Sequence, residues 1–218
     1  MAETLTEKKS PFYSVLRVLA NIVFHTIMPV RIHGREKLDG WDPPYILIAN
    51  HVHALDPVVM AMAIRKHECA FLGKKELGKN PAARYLLTKL HCIFVDRHNR
   101  DMEAMRSCMK AIRMKMPLLI FPEGTRHHER QMEQIENGTA LIALRSRVPI
   151  IPMYFSRKLG LFRVAHLHVG DPIPTEDLLE EGINTATCEK MNERIRTIYR
   201  EMVRQYGDPY ALSKRIQN

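Results

Sequence analysis

Residues 92–121 read CIFVDRHNRDMEAMRSCMKAIRMKMPLLIF, and this stretch indicates the fold class. A short apolar run at Cys92–Val95 precedes a Met-rich segment at 101–115, and a second apolar run follows at Leu118–Phe121. Short apolar runs are typical of buried strands, whereas apolar residues three and four apart are typical of a helix. The stretch therefore predicts a strand, a helix and a second strand, the unit that builds parallel sheets.

The same alternation extends over most of the chain. It predicts further strands at Tyr45–Ala49, Ala70–Gly73, Val148–Phe155 and Arg163–Val169, and helices at 57–66, 81–89, 133–146 and 186–206. No internal repeat, low-complexity run or linker divides the sequence. We therefore expect an α/β fold. A single domain over residues 31–218 would hold a largely parallel sheet flanked by helices, preceded by an N-terminal amphipathic helix within residues 1–30.

Composition limits the class of protein and the kind of partner. The 218 residues are 45% hydrophobic, which is enough to bury a proper core. The formal net charge of +9 favours an anionic partner: nucleic acid, an acidic carrier protein, a phosphorylated metabolite or an anionic bilayer. The cysteines are too sparse for a disulfide framework or a zinc site, so we expect free thiols in a reducing compartment. They are Cys69, Cys92, Cys108 and Cys188.

The N-terminal segment Phe12–Val30 is apolar but not a clean membrane span. A transmembrane helix needs about 20 predominantly apolar residues, and polar residues interrupt this segment. Two stripes at helical spacing result, one polar (Ser14, Arg17, Asn21, His25) and one apolar (Phe12, Val15, Leu16, Leu19, Val23, Ile27). Such a helix either packs on the domain or lies on a bilayer. Arg17 beside an apolar face and the positive charge of the chain favour the bilayer.

Polar motifs follow three of the predicted strands. The run Asn50–Pro57, NHVHALDP, follows the strand that ends at Ala49; Arg97 follows the strand that ends at Val95; and Phe121–Arg126 reads FPEGTR. Ligands of open α/β sheets bind outside the carboxyl ends of the strands. We therefore expect these motifs to form one site.

The spacing His-x4-Asp occurs three times, in the pairs His51/Asp56, His91/Asp96 and His166/Asp171. The last two pairs run along predicted strands, where a separation of five puts side chains on opposite faces about 16 Å apart. His51 and Asp56 instead flank a turn, because Asp56-Pro57 is a favourable helix start. His51 is thus a candidate general base with Asp56 as its partner. Alternatively, Asp56 caps the helix and His51 is structural.

The FPEGTR motif has the residues of an anion clamp. Gly124 permits close backbone approach, Thr125 adds a hydroxyl, and Arg126 presents a fork that matches phosphate oxygens. Glu123 either orients Arg126 or makes a structural salt bridge. A base and an anion clamp together suggest acyl transfer to the hydroxyl of a phosphorylated alcohol.

Four motifs in order resemble those of the glycerolipid acyltransferases typified by 1-acylglycerol-3-phosphate O-acyltransferase, over about residues 32–172. The motifs are Asn50–Pro57, the pair Gly73–Leu77 and Ile93–Arg97, Phe121–Arg126, and Val148–Pro152. The sequence departs from the family pattern in three places. His53 stands where the family often has a serine or threonine, and His91 stands where it usually has a glycine. Arg126 is followed by His127-His128-Glu129, where a serine is common.

The resemblance implies an activity and roles for residues. His51 would be the base and Asp56 its partner, and Lys74 and Arg97 would contact the acceptor phosphate. The donor would be an acyl-CoA or acyl carrier protein, the acceptor the lysophospholipid 1-acylglycerol 3-phosphate, and no metal or cofactor would be needed. The enzyme would serve phospholipid biosynthesis as a peripheral protein on the cytoplasmic face of an anionic membrane. We also expect backbone N–H groups near the start of the helix at Pro57 to stabilise the oxyanion.

Two alternatives remain at this point. The same chemistry would serve glycerol 3-phosphate or another lysolipid as acceptor. A protein of another class, a non-catalytic basic protein that binds membrane or nucleic acid, would account for the charge. It would have no use for an aspartate held beside a histidine, so we expect no nucleic-acid partner.

Overall fold

A computed structural model describes residues 10–96, 101–126 and 132–210. Seven strands lie within these ranges: β1 Val30–His33, β2 Ile46–Ala49, β3 Ala70–Lys74, β4 Cys92–Val95, β5 Leu118–Ile120, β6 Ile150–Phe155 and β7 Ala165–Val169. The helices are α1 Pro11–Thr26, α2 Glu36–Asp39, α3 Asp56–Ala63, α4 Pro81–Lys89, α5 Met102–Arg113, α6 Asn137–Ser146, α7 Glu176–Glu180 and α8 Thr185–Tyr206.

The strands form one sheet in the order β1-β7-β6-β2-β5-β3-β4. Neighbours are parallel except β6 and β7, which pair antiparallel. The single α/β domain with a largely parallel sheet is therefore confirmed. Strands β2 to β6 all end at one edge, which we call the carboxyl edge. Because β7 reverses direction and β1 follows it, β1 and β7 begin at this edge and end at the opposite, amino edge.

Side chains of each central strand alternate between two cores. Ile46 and Ile48 of β2 pack into the core that includes residues of α5, α6 and α8, whereas Leu47 and Ala49 pack into the core that includes residues of α1 and α3. All four β2 residues are fully buried. Burial on both faces explains why this strand reads as a continuous apolar run rather than an alternating one.

Helix α1 packs on the domain and also exposes an apolar stripe. Tyr13 and Phe24 are buried in the core, and Arg17 donates a hydrogen bond to the carbonyl of Ile64. The exposed apolar side chains are Phe12, Val15, Val18, Leu19 and Ile22. Because Arg17 contacts the domain, it does not support the prediction that this helix lies on a bilayer. No helix within the described residues is long and apolar enough to cross a bilayer.

Three features of the fold differ from the sequence prediction. Strand β1 was not predicted, because it has only four residues and begins at the end of the apolar segment Phe12–Val30, which was assigned to a helix. Helix α6 begins at Asn137 rather than at 133, since the preceding residues turn back and Glu136 N–H donates to Pro122 O at 2.8 Å. The short helices α2 and α7 were also missed. The four cysteines are buried and form no disulfide within the described residues, and burial raises the pKa of Cys69 to about 11.

Candidate functional site

A histidine and an aspartate meet at the carboxyl end of β2. His51 lies two residues after the strand, and Asp56 is the first residue of α3. The Nδ1 atom of His51 lies 2.9 Å from Oδ2 of Asp56, whose side chain is fully buried. The carboxylate accepts a hydrogen bond from Nδ1–H of neutral His51, so the proton stays on Nδ1 and the lone pair lies on Nε2. The ring is thus held in the tautomer that a general base requires.

Asp56 accepts more hydrogen bonds than the one from His51. Its Oδ2 atom also accepts the backbone N–H groups of Val52 and His53, each at 2.7 Å. The residue at the N-cap of α3 is Leu55, and no side-chain cap was found there. Asp56 therefore holds the loop that carries His51 instead of capping its own helix. Three donors around one oxygen fix the carboxylate in place and stabilise its negative charge.

The ring of His51 is also supported on its face. It stacks on Phe121 with ring centroids 4.2 Å apart and an interplanar angle of 25°. Phe121 directly follows β5, the strand next to β2. The first residue of the FPEGTR motif therefore sets the plane of the imidazole, a contact that the sequence did not reveal.

Glu123 joins two loops of the site. Its side chain is buried, its Oε2 accepts the N–H of His51 at 3.3 Å, and its Oε1 accepts the N–H of Met132 at 2.7 Å. Neither of the two interpretations from sequence, orientation of Arg126 or a salt bridge, included these backbone contacts. Glu123 thus couples the position of the candidate clamp to that of the candidate base.

The remaining clamp residues lie on a tight turn. Gly124 has φ +66°, its N–H donates to Phe121 O at 3.0 Å, and a Cβ there would lie 3.3 Å from Cγ of Glu136. The positive φ and the close neighbour explain why glycine occupies this position. Thr125 and Arg126 follow and are exposed. Their side chains are accessible to an anionic ligand.

Lysine 74 is the last residue of β3, is exposed, and lies on the strand next to β5. The loops that carry His51, Glu123 and Lys74 thus leave three consecutive strands, β2, β5 and β3, at the same edge. Arg97 lies outside the described residues.

The expected oxyanion donors at the start of α3 are not available, so that prediction is wrong. The N–H of Asp56 donates to His53 O, and those of Val58 and Val59 donate to Leu55 O. Pro57 has no N–H, and the loop donors at 52 and 53 bind the Asp56 carboxylate. The carboxylate and the loop carbonyls occupy every early N–H of this helix.

The other two histidine–aspartate pairs do not form, as predicted. His91 lies 2.7 Å from Oε2 of Glu68 through Nε2, and His166 lies 2.9 Å from Nε2 of His33 through Nδ1. Asp171 pairs with Lys37 at 2.7 Å. The outcome agrees with the prediction, but the predicted geometry was only partly right, because His91 and Asp96 flank β4 and Asp171 lies beyond β7.

Two buried side chains, whose contacts the sequence did not indicate, stabilise the end of β2. Asn50 is fully buried and bridges to β6, because Nδ2 donates to Phe155 O at 3.1 Å and Oδ1 accepts Phe155 N–H at 2.8 Å. The hydroxyl of Tyr199 on α8 lies 2.9 Å from Ile48 O and 2.8 Å from Met153 O. The strand that precedes the dyad is thereby tied to its neighbour.

Tyr210 lies in the electrostatic field of the same site. Burial, together with the negative charges of Asp56 and Glu123, raises the pKa of Tyr210 to about 12.

The described residues contain no group of three His, Cys, Asp or Glu arranged to hold a metal ion.

An imidazole held in this way at the carboxyl edge of an α/β sheet can accept a proton from a hydroxyl. The family model described as Acyltransferase matches residues 29–156, more than half of the chain. The chain therefore belongs to the Acyltransferase family, and by class it is an O-acyltransferase.

Curated relatives carry the name 1-acyl-sn-glycerol-3-phosphate acyltransferase. The protein from Streptococcus pneumoniae is 27% identical over 88% of this chain and 73% of its own length. The Bacillus subtilis protein is 25% identical over 78% of this chain and 87% of its own. A putative Caenorhabditis elegans relative is 31% identical, and the match spans 52% of that protein.

A solved structure supports the fold. The crystal structure of the 1-acyl-sn-glycerophosphate (LPA) acyltransferase PlsC from Thermotoga maritima superposes with a TM-score of 0.63 at 21% identity. The match covers 88% of this chain and 79% of that one.

Proposed function

We propose that this protein transfers a fatty acyl group from a thioester donor to the hydroxyl of 1-acylglycerol 3-phosphate in phospholipid biosynthesis. The observation that carries the proposal is the His51–Asp56 pair 2.9 Å apart, with Glu123 of the FPEGTR motif bonded to the His51 backbone. The names of the relatives support this acceptor.

The proposed reaction is a direct transfer. Nε2 of His51 takes the proton of the acceptor hydroxyl as its oxygen attacks the thioester carbonyl. Asp56 stabilises the imidazolium that forms. The tetrahedral intermediate then collapses, the carbon–sulfur bond breaks, and the leaving thiolate takes the proton from Nε2. An ester and a free thiol result, and the reaction requires no cofactor. The donor is an acyl-CoA or an acyl carrier protein.

The acceptor phosphate would bind beside the dyad. Arg126 has the fork that matches two phosphate oxygens, and Lys74 and Arg97 add positive charge. Gly124 and Thr125 form the turn that presents Arg126. Glu123 would keep the phosphate at a fixed distance from His51, because it holds the backbone on both sides of the site. Orientation of this kind converts an encounter into a productive complex.

We further propose that α1 binds an anionic membrane surface on its cytoplasmic face. This helix carries a stripe of exposed apolar side chains, in which Val15, Val18 and Ile22 are more than half exposed. These side chains do not contribute to the core, so they are available to a membrane. The buried Tyr13 and Phe24 fix the helix on the domain, so the stripe has a constant orientation. Membrane binding would place the enzyme where a lysolipid acceptor resides.

The acceptor assignment is tested by an acyl-transfer assay of the purified protein with acyl-CoA and acyl carrier protein donors. The acceptors are 1-acylglycerol 3-phosphate, glycerol 3-phosphate and a lysophospholipid with a larger headgroup. We expect the highest kcat/KM with 1-acylglycerol 3-phosphate. A higher value with either of the other acceptors would replace the proposed substrate, and turnover equal to that of His51→Ala with all of them would remove the proposed function.

A further inference from the structure

The turn between β6 and β7 carries the two most exposed large apolar side chains of the described residues. Leu161 is 66% exposed and Phe162 is 78% exposed. They form the tip of a tight turn, in which Arg163 N–H faces Gly160 O at 3.4 Å. We call residues 160–163 the apolar turn. Tips of such turns usually carry glycine, asparagine, aspartate or serine, so this composition is unusual.

The backbone of the apolar turn is also strained. Phe162 has φ +54°, a left-handed conformation that bulky residues rarely adopt. Glycine or asparagine would fit this position better, and the exposed ring of Phe162 gains no burial in return. Strain that brings no stability to the fold points to a function of the side chain.

Two contacts hold the apolar turn in place. Leu159, which directly precedes it, is buried in the core shared with α1 and α3. The N–H of Phe162 donates to Ile27 O at 2.7 Å, at the end of α1. The exposed side chains are therefore presented by a fixed backbone that continues the surface of α1.

The apolar turn lies at the carboxyl edge of the sheet, where the dyad lies. Phe155 at the end of β6 pairs with Leu167 of β7, so the segment between them projects from this edge. Asn50 binds Phe155 and directly precedes His51. The apolar stripe of α1 thus reaches the carboxyl edge through the turn.

The charge around the apolar turn is positive. Arg157, Lys158 and Arg163 are exposed, and the sequence from 156 to 164 contains no acidic residue. Helix α1 contains none either. Apolar side chains surrounded by basic ones match an anionic lipid surface, in which the acyl region accepts the former and the headgroups attract the latter.

We propose that the apolar turn is a second membrane-inserting element, which buries Leu161 and Phe162 in an anionic bilayer. This inference rests on the proposed membrane association of α1. With both elements inserted, the carboxyl edge and its dyad face the membrane surface. Helix α1 alone would attach the enzyme, whereas the turn determines which edge of the sheet meets the lipid.

The single tryptophan of the chain provides a sharp test. Trp41 lies in the connection between β1 and β2, at the amino edge. A Phe162→Trp substitution in a Trp41→Phe background places the only indole on the apolar turn. Both this variant and the wild type are mixed with vesicles of equimolar phosphatidylcholine and phosphatidylglycerol that carry brominated acyl chains. We expect strong quenching for the variant and little for the wild-type Trp41.

A second experiment measures binding directly. Phe162→Asn suits a left-handed backbone, so the double variant Leu161→Ser/Phe162→Asn should keep or raise the Tm while its vesicle affinity falls about ten-fold or more. Ile183→Ser, which removes an exposed apolar residue from the connection between α7 and α8, is the matched control and should bind like the wild type. Activity on a short-chain soluble acceptor should be unchanged in both.

The outcomes separate the two membrane proposals. Wild-type protein that co-sediments with these vesicles while the indole at 162 is not quenched overturns the inference about the turn and leaves that about α1. Protein that does not co-sediment at all overturns both. The inference is likewise overturned if the double variant binds vesicles as tightly as the wild type. It is also overturned if the double variant loses self-association of the protein and keeps its affinity for lipid. The acyltransferase proposal is judged separately by the soluble-acceptor rate.

Discussion

Asparagine in place of Asp56 should separate the charge of this residue from its geometry. Only Oδ2 of the carboxylate accepts the three N–H groups, and Oδ1 is buried with no hydrogen-bond partner among the described residues. In Asp56→Asn the two backbone donors at 52 and 53 require the carbonyl oxygen at the Oδ2 position. His51 would therefore keep its Nδ1 proton and the tautomer of a base.

The loss in Asp56→Asn is then electrostatic. Two charges about 4 Å apart interact by about 4 kcal/mol at an effective dielectric constant of about 20, which corresponds to a factor of about 10³ in rate. We expect kcat to fall by about 10²–10³. The Tm should fall by less than in Asp56→Ala, because the substitution keeps the acceptor of the three donors but places an unpaired amide group at the buried Oδ1 position. Asp56→Ala should also leave buried donors unpaired, at about 1–3 kcal/mol each, and should lower the Tm clearly.

The assay is turnover of a short-chain soluble acceptor, with the Tm followed by circular dichroism. If Asp56→Asn keeps more than about a tenth of the wild-type rate, the imidazolium does not need this charge and Asp56 is not its catalytic partner. An Asp56→Ala protein as stable as the wild type would show that Oδ2 does not carry the three hydrogen bonds described.

Three further changes test other parts of the structure. His51→Ala should lower kcat by about 10²–10⁴ without unfolding the protein. His91→Ala removes the partner of Glu68 Oε2, so it should lower the Tm but keep the rate per folded molecule. Equal inactivity of the two variants would remove the distinction between the pairs. Arg126→Lys keeps the charge but loses the fork, so the acceptor KM should rise with slow donor hydrolysis unchanged; a weaker donor affinity instead would assign Arg126 to the donor phosphates. Burial and the charges of His33 and His166 lower the pKa of His168 to about 4, so the unfolded chain binds more protons than the native state below about pH 6.5. Stability should therefore decline as the pH falls from about 6.5 towards 4. The variant His168→Phe can still stack on Tyr206, and its Tm should decline less over this range. Equal declines in the Tm of the variant and the wild type would exclude His168 as the source.

The sequence predicted the elements that short-range patterns encode. Continuous apolar runs identified β2, which is fully buried, and β4, whose first two residues are buried. Edge strand β1 escaped prediction, since its burial depends on pairing with β7, more than a hundred residues away. The order of the strands was not predictable for the same reason.

The candidate site was predicted as a set of residues but not as a set of contacts. The turn between His51 and Asp56 is local, so spacing and the Asp-Pro pair were sufficient. The contact of Glu123 with the His51 backbone joins loops 72 residues apart in sequence, and no local pattern encodes it. The expected helix donors failed because sequence does not show which carbonyl or carboxylate already occupies an N–H.

The pairing of β1 with β7 has a consequence for synthesis of the chain. Val30 aligns with Ala165, and β7 is the strand beside β1. Strand β1 is synthesised early, but it cannot join the sheet until β7 has also been synthesised. Pairings between residues so distant in sequence form late in folding. Through most of translation, α1 and β1 are tethered to a growing chain without their place in the sheet. The apolar stripe of α1 is therefore accessible to a chaperone or a lipid surface before the catalytic domain is complete.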